Sequence, residues 1–292
     1  MPPRRARTHA AVRGFDRAAR AYQRGRPEYP DAAVRHLTRR LRLQRGAVVV
    51  ELGSGTGKLT RRLFATGATV VPVEPTPGMR AEFRRQFPGV PVLDGVAEQI
   101  PVPDGIADAV VAAQTFHWFR TRPTLREIAR VLRPGGQIGL VWNFRDESRP
   151  WVAELSRIMG ERPTRLPRTR WRRWQRPFDR GGVPFTRLTR REFRHVQILR
   201  PEAVVDRILS VSFVAMRAAD ERRAIARRIR ALLARDPATR GRRQLAIPYR
   251  TVVFTSRLTG KIRPISRGRS SKRSTRQRAA AARSLRAAKS RR

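Results

Sequence analysis

The run Val48-Val49-Val50-Glu51-Leu52-Gly53-Ser54-Gly55-Thr56-Gly57 constrains this chain more than any other segment. Consecutive β-branched residues favour a buried strand. The glycines that follow at alternate positions let the backbone turn sharply and approach a ligand without intervening Cβ atoms. Lys58–Phe64 then places apolar residues at helical spacing, so the order is strand, loop, helix. A dinucleotide fingerprint fails because Lys58 stands where the third glycine of Gly-x-Gly-x-x-Gly belongs. A phosphate loop fails as well, with Leu52 at its first glycine and Leu59 where Ser or Thr would bind magnesium. What remains is Glu-x-Gly-x-Gly-x-Gly, a turn led by an acid and suited to a nucleoside cofactor. It makes a cofactor-dependent enzyme the leading reading.

Residues 68–74 read as a second strand, with Glu74 at its carboxyl end, where open α/β sheets bind ligands. Glu74 stands seventeen positions beyond Gly57, close to the interval at which a carboxylate receives ribose hydroxyls. Ionised, it is acceptor-only, so both hydroxyls can donate to it. Pro75 and Pro77 end the strand before a helical pattern over residues 79–87. A short apolar run at residues 90–94 leads into a loop at 95–101, and residues 108–114 read as a buried parallel strand. Small Ala97 permits close approach of a flat base, or it only packs. Gln114 sits at a strand end facing a cofactor, or it only bonds its own loop.

These segments are joined by Phe15-Asp16-Arg17-Ala18-Ala19-Arg20-Ala21-Tyr22-Gln23-Arg24-Gly25-Arg26-Pro27-Glu28-Tyr29-Pro30, Arg133-Pro134-Gly135-Gly136 and Trp142-Asn143-x-Arg145-Asp146. In this order the chain resembles class I S-adenosylmethionine-dependent methyltransferases with a methyltransferase type 11 domain, in particular bacterial small-molecule methyltransferases. The likeness covers about residues 15–150 and continues through Pro248-Tyr249-Arg250-Thr251. It implies S-adenosylmethionine as cofactor, with Glu51 leading the turn, Gly53, Gly55 and Gly57 at the methionine part, Glu74 at the ribose, and Ala97 beside adenine. Gln114 would face the cofactor, while Tyr22 and Arg26 would close the amino-terminal side. Arg26 could pair with the cofactor carboxylate, since a planar fork donates two hydrogen bonds to one carboxylate. Val96 departs from the family, which often carries Asp after that glycine, and adenine recognition would then rest on shape and backbone groups.

The expected fold is α/β, a Rossmann-like class I methyltransferase with a seven-stranded mixed sheet. Residues 1–14 would form a flexible basic N-terminus, 15–260 the methyltransferase domain with a lid or insertion at 147–180, and 261–292 a disordered basic tail. Gln137 to Trp142 would be a fifth strand after an Arg-Pro-Gly-Gly turn. Residues 189–199 and 245–258 would be further strands, the latter carrying Pro248 at a bulge or edge. Residues 202–216 and 220–234 carry helical periodicity.

The chain has no cysteine, which excludes a disulfide scaffold and thiolate chemistry. His9, His36, His117 and His195 are widely separated, so no metal site is expected. With 66 Lys and Arg against 22 Asp and Glu, the formal charge is +44, a balance that favours polyanions or anionic surfaces. Thirteen of the cations lie in residues 261–292. Arginines around Trp171 and Trp174 could contact phosphate and stack on bases, or could be a solvated, arginine-biased surface. Without an apolar signal segment or membrane span, the expected location is cytoplasmic.

The expected reaction is in-line methyl transfer to a small-molecule acceptor, in which positioning matters more than acid, base or metal. His117 and Trp118 are the acceptor-side candidates, His117 to orient or deprotonate the acceptor and Trp118 to shape an apolar wall. Two alternatives stay open: an RNA-modifying methyltransferase, and a nonenzymatic anion- or nucleic-acid-binding protein that retains the fold. Beside the small-molecule acceptor, the basic tail would make modest nonspecific nucleic-acid or anion contacts.

Overall fold

The computed structural model describes residues 19, 23, 25–160, 174–180 and 182–260. In chain order, the described elements begin with α1 (Asp31–Arg40), β1 (Val48–Leu52), α2 (Lys58–Phe64), β2 (Thr69–Val73), α3 (Pro77–Gln86), β3 (Ala107–Ala113), α4 (Thr121–Val131) and β4 (Leu132–Arg145). They continue with α5 (Pro150–Ile158), α6 (Arg176–Arg180), β5 (Thr189–Leu199), α7 (Pro201–Leu209), α8 (Ser212–Ala215), α9 (Ala219–Arg235) and β6 (Leu245–Arg257). Pro occupies the first turn of α3, α5 and α7, where its missing N–H costs no helical bond.

One sheet runs in the order β2-β1-β3-β4-β6-β5, parallel from β2 to β4 and antiparallel at β6 and β5. All five residues of β1 are buried, as a strand covered on both faces requires. Val48, Val50 and Leu52 join the core under α4, whereas Val49 joins that under α1 and α2. A third cluster packs α5, α7 and α9 beside the antiparallel β5–β6 pair.

The sheet has six strands, not the seven expected from sequence. The missing one is the run at residues 90–94, which makes only a single parallel bridge, Val73 to Leu93, at the β2 edge. Leu93 N–H donates to Pro72 O and Glu74 N–H to Leu93 O, but the ladder goes no further. Pro91 lacks a donor to extend it. The fifth expected strand starts earlier than Gln137, because Leu132 pairs with Ala107 while Gln137 pairs with Ala109. Arg133 to Gly136 is looped out within β4, with Gly135 at φ +77°. Pro248 lies on an interior strand, not an edge. It falls one rung beyond Arg145, where β4 has ended, and its carbonyl accepts the Asp146 N–H. The helical pattern at 202–216 is two helices, α7 and α8.

β1 leads outward to β2 on one side, whereas β3 starts on the other. The carboxyl ends of β1 and β3 therefore flank the point where strand order reverses, the crevice in which open α/β sheets bind ligands.

Candidate active site

The β1–α2 loop and the β3–α4 loop are fastened together at this crevice. Thr115 Oγ1 donates to Leu52 O at 3.2 Å, and a Cβ on Gly53 would lie 2.8 Å from the Thr115 side chain. At Gly55 (φ +57°) a Cβ would meet nothing within 4 Å, so here the backbone borders open space. Gly57 (φ +88°) is closed instead, with Phe83 and Phe87 against it. Gln114, the last step off β3, is held at φ +61°, a conformation rare for a non-glycine residue and one that concentrates at functional sites. Its amide lies 3.5 Å from Asn143 O.

Two carboxylates sit beneath this loop. Glu74 is buried and accepts the Gly55 and Thr76 N–H groups at 2.9 Å each. Burial raises its pKa, opposed by those bonds and by Arg80. Glu51 is also buried and accepts the Thr60 hydroxyl at 2.5 Å. Burial pushes it up to about 8, with a smaller contribution from Glu74, so at neutral pH its proton is largely retained. Sequence reasoning assigned Glu74 to a ribose; in the structure its carboxylate also pins the glycine loop to β2.

The amino-terminal entrance covers the crevice through long-range bonds. Lys58, the residue that spoils the dinucleotide fingerprint, pairs with Glu28. Asn143 Nδ2 donates to Glu28 O at 3.2 Å, and Thr251 Oγ1 donates to Asn143 Oδ1 at 2.6 Å. Gln197 Nε2 reaches Gly25 O at 3.3 Å, and Thr56 Oγ1 donates to Gln23 at 2.5 Å. Arg26, Pro27 and Tyr29 thereby line a narrow cleft with Glu51, Gly55 and Gln114. Tyr22 lies outside the described residues, as does Trp171.

His117 is on a 3-10 turn after β3, and the buried Trp142 indole donates to its Nδ1 at 3.1 Å. An indole N–H can only donate, so Nδ1 is the acceptor and the ring proton sits on Nε2. Burial, with Arg26 adding repulsion, pushes His117 down to about 4. The ring is neutral at neutral pH and presents a donor, which suits orientation of an acceptor better than deprotonation. Trp118 tilts against His117 at 4.8 Å and is 41% exposed, unlike a core tryptophan. Ala97 is buried in the core cluster below β3 and is not among the residues that line the narrow cleft. No described group of His, Asp and Glu could hold a metal ion.

Thr60, Thr115 and Trp142 were not singled out from sequence as site residues. Trp142 and Asn143 lie in the Trp-Asn-x-Arg-Asp motif, which by itself assigns them no role; Thr60 carries no sequence signal beyond its place on the helix after the turn.

An uncharacterized methyltransferase of Mycobacterium bovis is 40% identical over 248 residues, 84% of this chain and 95% of that protein. The chain belongs to the class I S-adenosylmethionine-dependent methyltransferase family. A methyltransferase domain model matches residues 50–140, the span from β1 into β4. An uncharacterized methyltransferase-like protein of Schizosaccharomyces pombe is 32% identical over 236 residues, 80% of this chain and 91% of that one. Among solved structures, a putative type II methyltransferase from Anaeromyxobacter dehalogenans is 23% identical with a TM-score of 0.58, covering 80% of this chain and 98% of that one. A putative methyltransferase from an antibiotic biosynthesis pathway of Anabaena variabilis has a TM-score of 0.54 at 21% identity, covering 79% and 98%. These two likenesses concern the methyltransferase fold.

Proposed function

We propose that this methyltransferase binds S-adenosylmethionine at the β1–β3 crevice and transfers its methyl group in line to a small-molecule acceptor. The observation that carries the reading is the pairing of Gly55, whose missing side chain leaves open space, with Glu74, whose carboxylate lies against the same loop. An ionised carboxylate has about four lone-pair sites, so Glu74 can hold Gly55 and Thr76 and still accept ribose hydroxyls. Gly53 and Gly57 shape the turn around the methionine part, Arg26 supplies a cation toward its carboxylate, and Gln114 faces it from β3. Ala97 packs beside adenine, and Tyr22 closes the amino-terminal side. The cofactor, when bound, supplies an electrophilic methyl carbon on a sulfonium. Glu51, protonated in the unliganded protein, gains a reason to ionise when a cationic group comes near.

On the acceptor side, His117 donates from Nε2 and orients the acceptor, while Trp142 holds the imidazole from behind. Trp118 walls the approach. Entrance residues Arg26, Pro27 and Tyr29 exclude water from the reacting atoms once closed, which strengthens each of these electrostatic contacts. The RNA-acceptor alternative draws on net charge and on the arginines around Trp171 and Trp174, but Trp174 is buried and stacked on Trp142 at 4.9 Å, and the ordered crevice favours a small acceptor.

Calorimetry of the purified full chain against S-adenosylmethionine tests the cofactor assignment, and labelled-methyl transfer in fractionated cell extract tests the acceptor class. Binding, with label in an extractable small-molecule fraction, is the expected outcome. A well-folded protein that shows no binding across a broad concentration range overturns the assignment; label confined to RNA overturns the acceptor class.

A further inference from the structure

At the amino ends of the strands, away from the crevice, lies an open groove of about 1200 Å3. It runs between the end of α1, the α1–β1 loop, the looped-out Arg133 to Gly136 of β4, the start of β5 and the end of β6. Six arginines line it, Arg39, Arg40, Arg42, Arg45, Arg133 and Arg257, against a single acid, Asp108. That acid is already engaged: Oδ1 accepts from Arg133 at 2.8 Å and Oδ2 from the Val48 N–H at 2.7 Å. The other five arginines make no ion pair among the described residues. The sign of the local field shows in His36 on the same wall. Burial lowers its pKa, and Arg40, Arg191 and Arg39 push the same way.

One of these cations sits where the backbone argues against it. Helix α1 ends with the Leu43 N–H returning to Thr38 O and the Arg42 N–H to Arg39 O, the paired bonds of a left-handed helix stop. Glycine is the usual residue at such a stop because φ must be positive. Here Arg42 takes the place at φ +53°. A Cβ adds strain in that conformation, and strained non-glycine positions concentrate at functional sites. What the arginine contributes in return is one more exposed cation on the groove.

The dimensions suit a strand better than a small anion. Small-ligand pockets span about 300–1000 Å3, whereas this groove is larger and, at His36 and Arg39, runs on into a further depression of about 390 Å3 beside Arg35 and Arg191. No Phe, Tyr or Trp lines the main groove, so bases have nothing to stack on and contacts fall on the backbone. The lining also includes the hydroxyls of Thr186, Thr189, Thr255 and Ser256 and the amides of Gln44 and Gln137, short polar groups suited to 2′-hydroxyls. Residues 261–292, with thirteen Lys or Arg and no acid, join the body at this same place. Arg257 lines the groove, and the Leu258 N–H donates to the carbonyl of Gly136, another lining residue.

We propose that this groove is an RNA-docking surface that holds a single strand by its phosphates without reading its sequence, with the carboxyl-terminal tail adding contacts beside it. The crevice lies at the opposite ends of the same strands, so the RNA anchors the enzyme and is not its methyl acceptor. Each solvated arginine contributes little alone. A polyanion engages many at once and releases its counterions, so the sum is large at low salt and falls steeply as salt rises.

Fluorescence anisotropy of a labelled mixed-sequence RNA of about twelve nucleotides, titrated with the full chain between about 50 and 200 mM salt, tests the surface. Arg39→Ser with Arg45→Ser and Arg257→Ser is expected to weaken binding at least tenfold at the low end and to reduce the salt slope by about 2. Its S-adenosylhomocysteine affinity should stay within about twofold of the parent's. Arg42→Gly relieves the left-handed strain while removing a cation, so it should keep the parent's stability in urea and bind RNA about threefold more weakly. A control with the same loss of charge, Arg222→Ser with Arg223→Ser and Arg227→Ser on the exposed side of α9, should bind RNA within about twofold of the parent.

If the α9 control weakens RNA binding as much as the groove variant, net charge and not the groove is responsible, and the proposal fails. Replacing the tail's thirteen cations by Gln in the full chain should cost part of the affinity and leave the remainder sensitive to the groove variant. Binding that vanishes with the tail's charge, or that the groove variant never alters, overturns the docking surface. Should the triple groove variant fail to fold, Arg42→Gly decides alone, and RNA affinity equal to the parent's rejects the proposal. DNA of the same sequence and inorganic polyphosphate should bind more weakly than RNA; either one binding as tightly overturns the assignment to RNA.

Discussion

At the carboxyl ends of β1 and β3, ionisable groups are taken out of water and shared among few partners: Glu51, Glu74 and His117 are each held by one or two named hydrogen bonds. At the amino ends of the same strands lies an open groove of about 1200 Å3, bordered by Arg39, Arg40, Arg42, Arg45, Arg133 and Arg257. The groove is far the larger and the more highly charged. Yet its arginines are mostly exposed, and Arg133 simply pairs with Asp108 at 2.8 Å. Solvated charges interact weakly and are screened by salt. In a chain with so many arginines, the count of charges at a place says little about chemistry. A charge withdrawn from water says much more.

Glycine substitutions put the sharpest strain on this comparison. Gly57→Ala forces a side chain into a left-handed backbone with its Cβ 2.2 Å from a Phe87 ring carbon, and should destabilise by about 3 kcal/mol. Gly135→Ala, at the groove end, is left-handed as well but meets no atom within 4 Å, and should cost only about 1 kcal/mol. Urea denaturation of the pair measures the difference; equal losses would mean that the crevice is no more tightly built than the groove.

Acidity gives the next largest effect. Glu51 has its folded pKa raised from 4.5 to about 8, so its contribution is complete below the unfolded value and lost as pH rises through the folded one. Stability should fall by about 2–3 kcal/mol between pH 6 and 8 from this group alone, and Glu51→Gln should flatten that slope in thermal melts. A slope unchanged by the substitution would move the buried proton elsewhere.

Glu74→Ala leaves two backbone N–H groups without an acceptor and should weaken S-adenosylmethionine binding about thirtyfold by calorimetry. A groove variant, Arg39→Ser with Arg45→Ser and Arg257→Ser, should hold the affinity within about twofold. Comparable losses in both would break the contrast between the two ends.

Smallest is the effect of Trp142→Phe, which removes the donor to His117 and should cost about 1 kcal/mol. His117 has a depressed folded pKa, so its contribution is present above 6.5 and lost as pH falls through about 4. Its NMR titration should remain below the ordinary histidine range in the variant, because burial is the leading cause of the shift.

Much of the parallel half was legible because parallel strands are buried on both faces and read as unbroken apolar runs: β1, β3 and the glycine turn stand almost where the sequence put them. The edge was not. Residues 90–94 are as apolar as a strand, but whether an edge run forms a ladder depends on donors that Pro91 cannot provide. Of the candidates named from motifs, Arg26, Glu51, Gly53, Gly55 and Gln114 line the narrow cleft and Glu74 bonds its loop, whereas Ala97 packs in the core and Tyr22 lies outside the described residues. Protonation states were hidden, since Glu51 depends on Thr60 and on burial, and His117 on a tryptophan twenty-five positions away. Arg207 was the least legible of all. On α7 in an arginine-rich chain it looks like any solvated cation, and only tertiary packing reveals that it is buried.

The entrance is held by bonds between residues far apart in sequence: Glu28 to Asn143 across 115 positions, Gly25 to Gln197 across 172. Contacts so distant in sequence are the slow ones to form. A chain emerging from the ribosome can build β1, its turn and β2 early, but the cover over them has nothing to rest on until β4 and then β5 have been made. The crevice is thus finished from its far end, and Gly25 and Glu28, though made before the strands they cover, are among the last residues to find their place.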